Sequence, residues 1–432
     1  MTKMLHNYNC HLCQSNTDYT LLTRHGHYSP HLCKNHFMSK INVSRTVNIP
    51  DILRLSRYRK VPELGPRVLF FSGGSALTGL SKHLKNYTHN SIHLVSPFDS
   101  GGSSAKLRSA FNMPAIGDLR SRLIALADET ILGHPEIYQL FSYRLPENQS
   151  QATLKNRLIN IAAGKDSLIE DIANPMRTLI CHQLGYFLDA MPRDFNLKGA
   201  SIGNLIITGG YINNHKQLEP ILFLFSKLVN VLGTVRPITN DHYHLAVELE
   251  NGKQIIGQHL MTGKEAPAIT SPIQKLSLSK TLDSYSPVTT KLRKRNRKLI
   301  EESDLICYPP GSFFSSLIAN LLPSGVGKAI SNNQCPKVYI PNLGNDPEQY
   351  DLSLEQLIIL LLNYLQQDAP DTEPNQLINF ILVDSKNATY TGDIPVNLIQ
   401  KLGITLIDTK LMNKGDQYYD DEKIVSVLLS LT

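Results

Sequence analysis

No stretch of 18 or more uninterrupted apolar residues occurs in the 432-residue chain, which argues against a membrane-spanning helix. The apolar run Leu357 to Leu365 is far too short. The N-terminal residues Met1 to Cys10 carry His6, Asn7 and Asn9 where a secretory signal would have an apolar core. Cysteine is sparse. Of six residues, three fall within the first 33 and Cys181, Cys307 and Cys335 are scattered, which is not a disulfide framework. A reducing, cytoplasmic setting is therefore expected, with no membrane partner. No internal repeat of fixed period is present.

Excess charge is also missing from most of the chain. Residues 1–60 hold nine Lys/Arg and two Asp, a balance of +7, while the remaining 372 residues sum to −1. The net +6 thus belongs to an N-terminal extension. It implies an acidic protein or nucleic-acid partner there and says nothing about the fold. The same extension contains Cys10-x2-Cys13 and, after 19 intervening residues, Cys33-x2-His36. Two closely spaced pairs can each hold one side of a tetrahedral zinc ion, so Cys10, Cys13, Cys33 and His36 are candidate ligands of a structural Zn²⁺, with His25, His27 and His31 as substitutes. The alternative is a polar arm with reduced thiols. The expected organisation is a basic Cys/His module (1–60), a linker rich in Pro and Gly (61–66) and one large domain (67–432).

What is present from residue 67 onward is a strand–loop–helix alternation. Arg67 to Phe71, Ile92 to Ser96, Asp304 to Tyr308, Lys337 to Ile340, Phe380 to Val383 and Ile404 to Ile407 read as short buried strands. Leu77, Leu80 and Leu84 recur at helical spacing after the first, the text from Gly117 to Leu188 is mainly helical, and Lys198 to Tyr211 reads as an amphipathic helix. Val235 to His259 looks like an antiparallel excursion, with Asn251-Gly252 as its hairpin turn. The pattern predicts an α/β fold: a three-layer α/β/α, Rossmann-like domain with a mostly parallel sheet.

Four polar, glycine-bearing segments stand out: Ser72-Gly-Gly-Ser-Ala-Leu-Thr-Gly79, Asp99-Ser-Gly-Gly-Ser-Ser104, Gly117-Asp-Leu-Arg120 and Pro310-Gly-Ser-Phe-Phe-Ser-Ser316. Three directly follow a strand, at the edge where parallel sheets bind ligands. Glycine admits close approach of an oxyanion, and a helix start offers unpaired N–H groups. Generic motifs fail, since Leu80 stands where a Walker lysine belongs and Gly73 to Gly79 lacks dinucleotide spacing. The candidate ligand-binding residues are Gly73, Gly74, Ser75, Thr78, Gly79, Asp99, Gly101, Gly102, Ser103, Ser104, Gly117, Asp118, Arg120, Asn204, Gly311, Ser312 and Ser315. Asp99 would repel bare phosphate. Its role is to hold a divalent cation such as Mg²⁺ or to meet a sugar hydroxyl, and it is the candidate catalytic residue if the protein is an enzyme. Asp118 with Arg120 reads equally as a buried ion pair or as a ligand contact. Cys307 reads as core, His242 and His244 as structural or surface residues, and the basic run Lys291 to Lys298 as a solvated helix face.

In order along the chain, Phe71 to Leu80, Asp99 to Arg108, Met113 to Leu123, Ser201-Ile-Gly-Asn-Leu205, Asp304 to Ser316 and Val338 to Asp346 resemble the family of the 2-phospho-L-lactate transferases (CofD) and the YvcK-like gluconeogenesis factors. The wording around Phe98 to Arg122 is most similar to the CofD-like proteins of GAK-type bacterial gene clusters. Ser100 stands where the gluconeogenesis-factor branch has a second acidic or amide residue, and Ser100 to Arg108 departs from the transferases. The resemblance therefore implies the fold and a nucleotide- or nucleotide-sugar-like ligand, in a metabolic or regulatory role. It offers as an alternative the transfer of a phospho-acyl group from a nucleoside diphosphate donor to an acceptor hydroxyl. A third reading is an adaptor whose zinc module recruits an acidic partner. Self-assembly is left open.

Overall fold

The structure, a computed structural model, describes residues 46–432 apart from Ser75, Lys264 and Asn345. The expected zinc ligands Cys10, Cys13, Cys33 and His36 lie outside the described residues. A compact unit runs from Asn48 to Thr432. It contains the helix α1 (Ile52–Lys60), so the boundary between extension and α/β unit falls before the expected linker. Asp51 caps α1 by accepting the Arg54 N–H at 3.0 Å, and Arg54 in turn holds the carbonyl oxygens of Ser430 and Thr432 at the chain's end.

Among the described residues, eleven strands form two sheets: β1 (Val68–Ser72), β2 (Ile92–Val95), β3 (Thr234–Pro237), β4 (His244–Leu249), β5 (Gln254–Ile256), β6 (Ile273–Ser279), β7 (Pro287–Val288), β8 (Leu305–Tyr308), β9 (Lys337–Tyr339), β10 (Phe380–Val383) and β11 (Thr405–Asp408). The larger sheet has the order β11-β10-β9-β8-β1-β2-β3 and every pairing in it is parallel. β1 is apolar at four consecutive positions because both its faces are covered. Val68 and Phe70 pack on one side with Leu80 and Leu84 of α2 (Thr78–Leu84) and with the helix Asp421–Ser430. Leu69 and Phe71 point to the other side, into a core shared with the helix Leu354–Gln366 and with β4 and β6. The period-2 alternation of side chains thus builds the three layers.

Two elements differ from the sequence expectation. Val235 lies not in an antiparallel excursion but in β3, the parallel edge strand beside β2. The excursion proper is the smaller antiparallel sheet β5-β4-β6-β7, whose β4–β5 turn carries Gly252. The helix expected from Lys198 starts at Ile202, capped by Ser201, and runs to Asn213. It is buried on nearly every side, not amphipathic, because it crosses the helix Met176–Ala190 closely enough that a Cβ on Gly209 would collide with the Gln183 carbonyl. The helix after β8 opens as a π-helical turn, Phe313–Ile318. Among the described residues, no helix is long and apolar enough to cross a membrane.

Candidate functional site

β1 is flanked by β2 on one side and β8 on the other, so the chain reverses its direction of sheet growth there. Crevices open at the carboxyl ends of strands at such a switch point. The loops after β1, β2 and β8 meet at this edge. Ser72 O accepts the Ser96 N–H at 3.2 Å and the Asn320 amide at 2.9 Å, while the Ser96 hydroxyl donates to Ser315 O at 3.3 Å. Two helices start at the crevice, α3 (Gly102–Phe111) and α4 (Gly117–Ala125).

The result is a cleft of about 360 Å³. Of the sequence candidates, it gathers Gly74, Asp99, Gly101, Gly102, Ser103, Ser104, Gly117, Asp118, Arg120, Asn204, Ser312 and Ser315. Others do not line it. Gly73 lies against Ser316, where a Cβ would come within 2.7 Å of the hydroxyl. Thr78 and Gly79 belong to α2, and Gly79 faces Asp421 on the last helix, so it serves packing. Gly311 sits beside Ala76. Ser75 is outside the described residues.

Several of the loop amides are already engaged. Gly74 takes φ +47° and donates its N–H to Asp118 Oδ2 at 2.7 Å. Gly102 takes φ +48° and donates to Glu265 Oε1 at 2.8 Å. Gly101 N donates to Asp99 Oδ1 at 3.0 Å. At the helix start after β8, Phe313 N–H goes to Asp346, and the Phe314 and Ser315 N–H groups go to Glu348 Oε2 at 3.1 and 2.8 Å. The expectation that this last helix start offers free donors to an oxyanion is therefore corrected. Helix starts attract negative charge, and here the chain's own carboxylates supply it.

Two buried arginines shape the loops. Arg108 donates to Phe98 O, Asp99 O and Tyr243 O, and to His244 Nδ1 at 3.2 Å. Arg122 donates to Leu77 O and Ser81 Oγ, both at 2.6 Å, and to Gly74 O at 3.2 Å. Burial lowers both guanidinium groups to about 10, which leaves them charged at neutral pH. Burial and the Arg108 charge push His244 down to about 3, so it is neutral and its Nδ1 can accept. Cys307 is core as expected, its thiol pushed well up by burial. The basic run is a helix face from Lys294 onward, with Lys298 paired to Glu302 one turn on, while Lys291 and Arg293 precede the helix.

The cleft carries charges of both signs. Asp99, Asp118 and Glu265 lie around the glycine loops, and the Asp99 and Glu265 carboxylates both bracket Gly101. Arg120, Arg144 and Asn204 line the same cleft. Ser100 does not line the cleft. Its hydroxyl is engaged by His259, at 2.8 Å from Nδ1. Sequence reasoning missed Glu265, Arg144 and His259, which come from loops and a single 3-10 turn with no periodicity or motif to mark them. Among the described residues, no cluster of three or more His, Cys, Asp or Glu is arranged to hold a metal. Asp99 and Glu265 are the carboxylates placed to share one with a ligand.

A family model described as 2-phospho-L-lactate transferase CofD matches residues 68–412, from the first residue of β1 to just beyond β11. The chain belongs to the CofD family. Relatives of this CofD-family protein include a putative gluconeogenesis factor of Thermotoga maritima, 27% identical over 74% of this chain and 79% of its own. The gluconeogenesis factor of Bacillus subtilis is 27% identical over 85% of this chain and 98% of its own. The crystal structure of a UPF0052 family protein from Bacillus halodurans superposes with a TM-score of 0.62 at 22% identity, covering 84% of this chain and 99% of that one. That likeness establishes the shared fold.

Proposed function

We propose that this CofD-family protein binds a nucleotide-linked phosphate or phosphosugar through a divalent cation, in a cytoplasmic metabolic or regulatory role. The carrying observation is that the Gly74 and Gly102 amides already donate to carboxylates while Asp99 borders the same cleft. Three carboxylates there disfavour a bare phosphate by Coulomb repulsion. A Mg²⁺ ion on Asp99, with Glu265 beside it, reverses the local sign. The serine hydroxyls of Ser103, Ser104 and Ser312 add donors for the phosphate oxygens.

Calorimetry with UDP and GDP in magnesium tests this. Saturable binding is expected, weakened at least ~10-fold in Asp99→Asn and comparably by EDTA, as for the loss of one charged ligand contact. A variant equally weakened in both conditions assigns Asp99 to a ligand hydroxyl. Absence of binding to either nucleotide in magnesium sinks the reading.

Membership of a family described by 2-phospho-L-lactate transfer favours a second reading, transfer of a phospho-acyl group. The acceptor oxygen would bond to the distal phosphorus of a nucleoside diphosphate donor as the bridging P–O bond breaks. The nucleoside monophosphate would leave and the hydroxyl proton pass to solvent. Asp99-dependent product from a lactyl-diphospho-nucleoside and a deazaflavin acceptor would promote this reading over the first. For the extension, one zinc ion per chain on Cys10, Cys13, Cys33 and His36, and salt-sensitive contact with an acidic partner, remain part of the proposal. Elemental analysis of Cys13→Ser protein tests the zinc.

A further inference from the structure

Next to the cleft lies a second cavity of about 330 Å³, bounded by α3, residues 144–147 and the start of the helix Ile202–Asn213. Arg144 and Asn204 line both cavities. The two differ in chemistry. The glycine-loop end carries three carboxylates, whereas the second cavity carries Lys106, Arg144 and Lys198 against the single carboxylate of Glu147.

The polar groups here are underused. Asn204 is 1% exposed, and its side-chain carbonyl oxygen has no hydrogen-bond partner. Arg120, in the adjoining cleft, is 9% exposed, its Nε is unpartnered, and its contacts to Ser121 Oγ and Phe141 O are long at 3.3 and 3.5 Å. Burial lowers its guanidinium to about 10, so it stays a cation. Arg144 spends one donor on Gly199 O, and Lys106 spends one on Lys198 O, each at 3.2 Å. An arginine carries five donors and a lysine three, so most remain available. A buried polar group without a partner is costly, which marks the position where a ligand supplies one.

The remaining wall is apolar. Leu107 is buried, and the Phe195 ring is held by tilted or edge contacts with Phe111 and Phe187 at 6.0 and 5.6 Å. A flat group can rest on that ring without displacing it.

We propose that this cavity is a second binding subsite, which takes an oxyanion, phosphate or carboxylate, carried on a planar apolar body. The oxyanion meets Arg144 and Lys106, with Lys198 on the same wall. A hydroxyl or amide N–H on the ligand reaches the Asn204 carbonyl, and the planar part lies on Phe195. This subsite needs no cation, unlike the Asp99 end.

Phenyl phosphate, benzoate and inorganic phosphate are the probes, titrated by calorimetry against the full chain in EDTA. Saturable binding of phenyl phosphate or benzoate is expected, and the tighter of the two identifies the oxyanion. Affinity should fall roughly 10-fold in Arg144→Gln and in Lys106→Gln, both changes at exposed positions, and be largely kept in Arg144→Lys. Phe195→Ala should weaken phenyl phosphate and spare inorganic phosphate. The proposal is overturned if neither aromatic probe binds, if binding is equal in wild type, Arg144→Gln and Lys106→Gln, or if binding requires magnesium. The last outcome would return the probe to the Asp99 cleft. Because these titrations exclude metal, failure here leaves the magnesium–nucleotide reading standing, and the reverse also holds.

Discussion

Glu348 grips Ser315 twice, accepting its backbone N–H at 2.8 Å and its hydroxyl at 2.5 Å. The carboxylate closes the π-helical turn after β8 from a fully buried position. Burial, reinforced by the charge of Asp346, raises its carboxyl to about 7. In the unfolded chain the group titrates at the usual carboxyl value near 4.5. Between those values the native state holds a proton that the unfolded state has lost. The stability this contributes is full below about pH 4.5 and is lost as pH rises through 7. In Glu348→Gln that fall should disappear, because the amide does not titrate. Urea midpoints measured from pH 5 to pH 8 check it, and parallel profiles for variant and wild type would refute it.

Arg122 ties the start of α2 to the loop after β1 through Leu77 O, Gly74 O and Ser81 Oγ. In Arg122→Met the packing volume is roughly kept while those acceptors lose their donors. The expected cost is about 3 kcal/mol in urea unfolding, the scale of breaking a buried charged network. Magnesium–nucleotide affinity should fall with it, since Gly74 loses an anchor.

Glu265 occupies the first amide of α3. Its replacement by Ala frees the Gly102 N–H and removes one negative charge from the cleft. Metal-free UDP should then bind several-fold more tightly, because one repulsion at effective dielectric ~20 is lost. Magnesium-dependent binding should weaken if Glu265 shares the cation. Calorimetry in EDTA and in magnesium separates the two effects.

Gly209 is a test of the scaffold alone. A methyl there meets the Gln183 backbone carbonyl, which cannot swing aside as a side chain would. Gly209→Ala should cost about 1–3 kcal/mol through overpacking, with metal-dependent affinity unchanged in the fraction that remains folded. A thermal melt unaltered by the substitution would show that the two helices can separate at little cost.

The central strands were legible because burial on both faces leaves an uninterrupted apolar signature, as in Val68 to Phe71 and Leu305 to Tyr308. β3 was harder to read. As Thr-Val-Arg-Pro it mixes polar and apolar positions, and its Arg236 is held by Asn296, a partner 60 residues away. The glycine loops announced themselves by composition, and most of their candidates do line one cleft. The occupation of their amides could not be read, because the partners Glu265 and Glu348 lie 163 and at least 33 residues distant from the amides they hold. Gly73 and Gly79 show the same limit from the other side: a glycine needed for packing is spelled like one needed for a ligand.

The switch between β1 and β8 has a kinetic consequence. The Asn320 amide reaches Ser72 O across 248 residues of chain, and the Ser96 hydroxyl reaches Ser315 O across 219. Such closures carry a large entropic toll and follow the formation of local structure. Helices such as Met176–Ala190 and Ile202–Asn213, which pack within the intervening segment, can form first. During refolding, competence to bind ligand should therefore trail the recovery of helical signal, making occupancy of the cleft a marker for the last event in assembly.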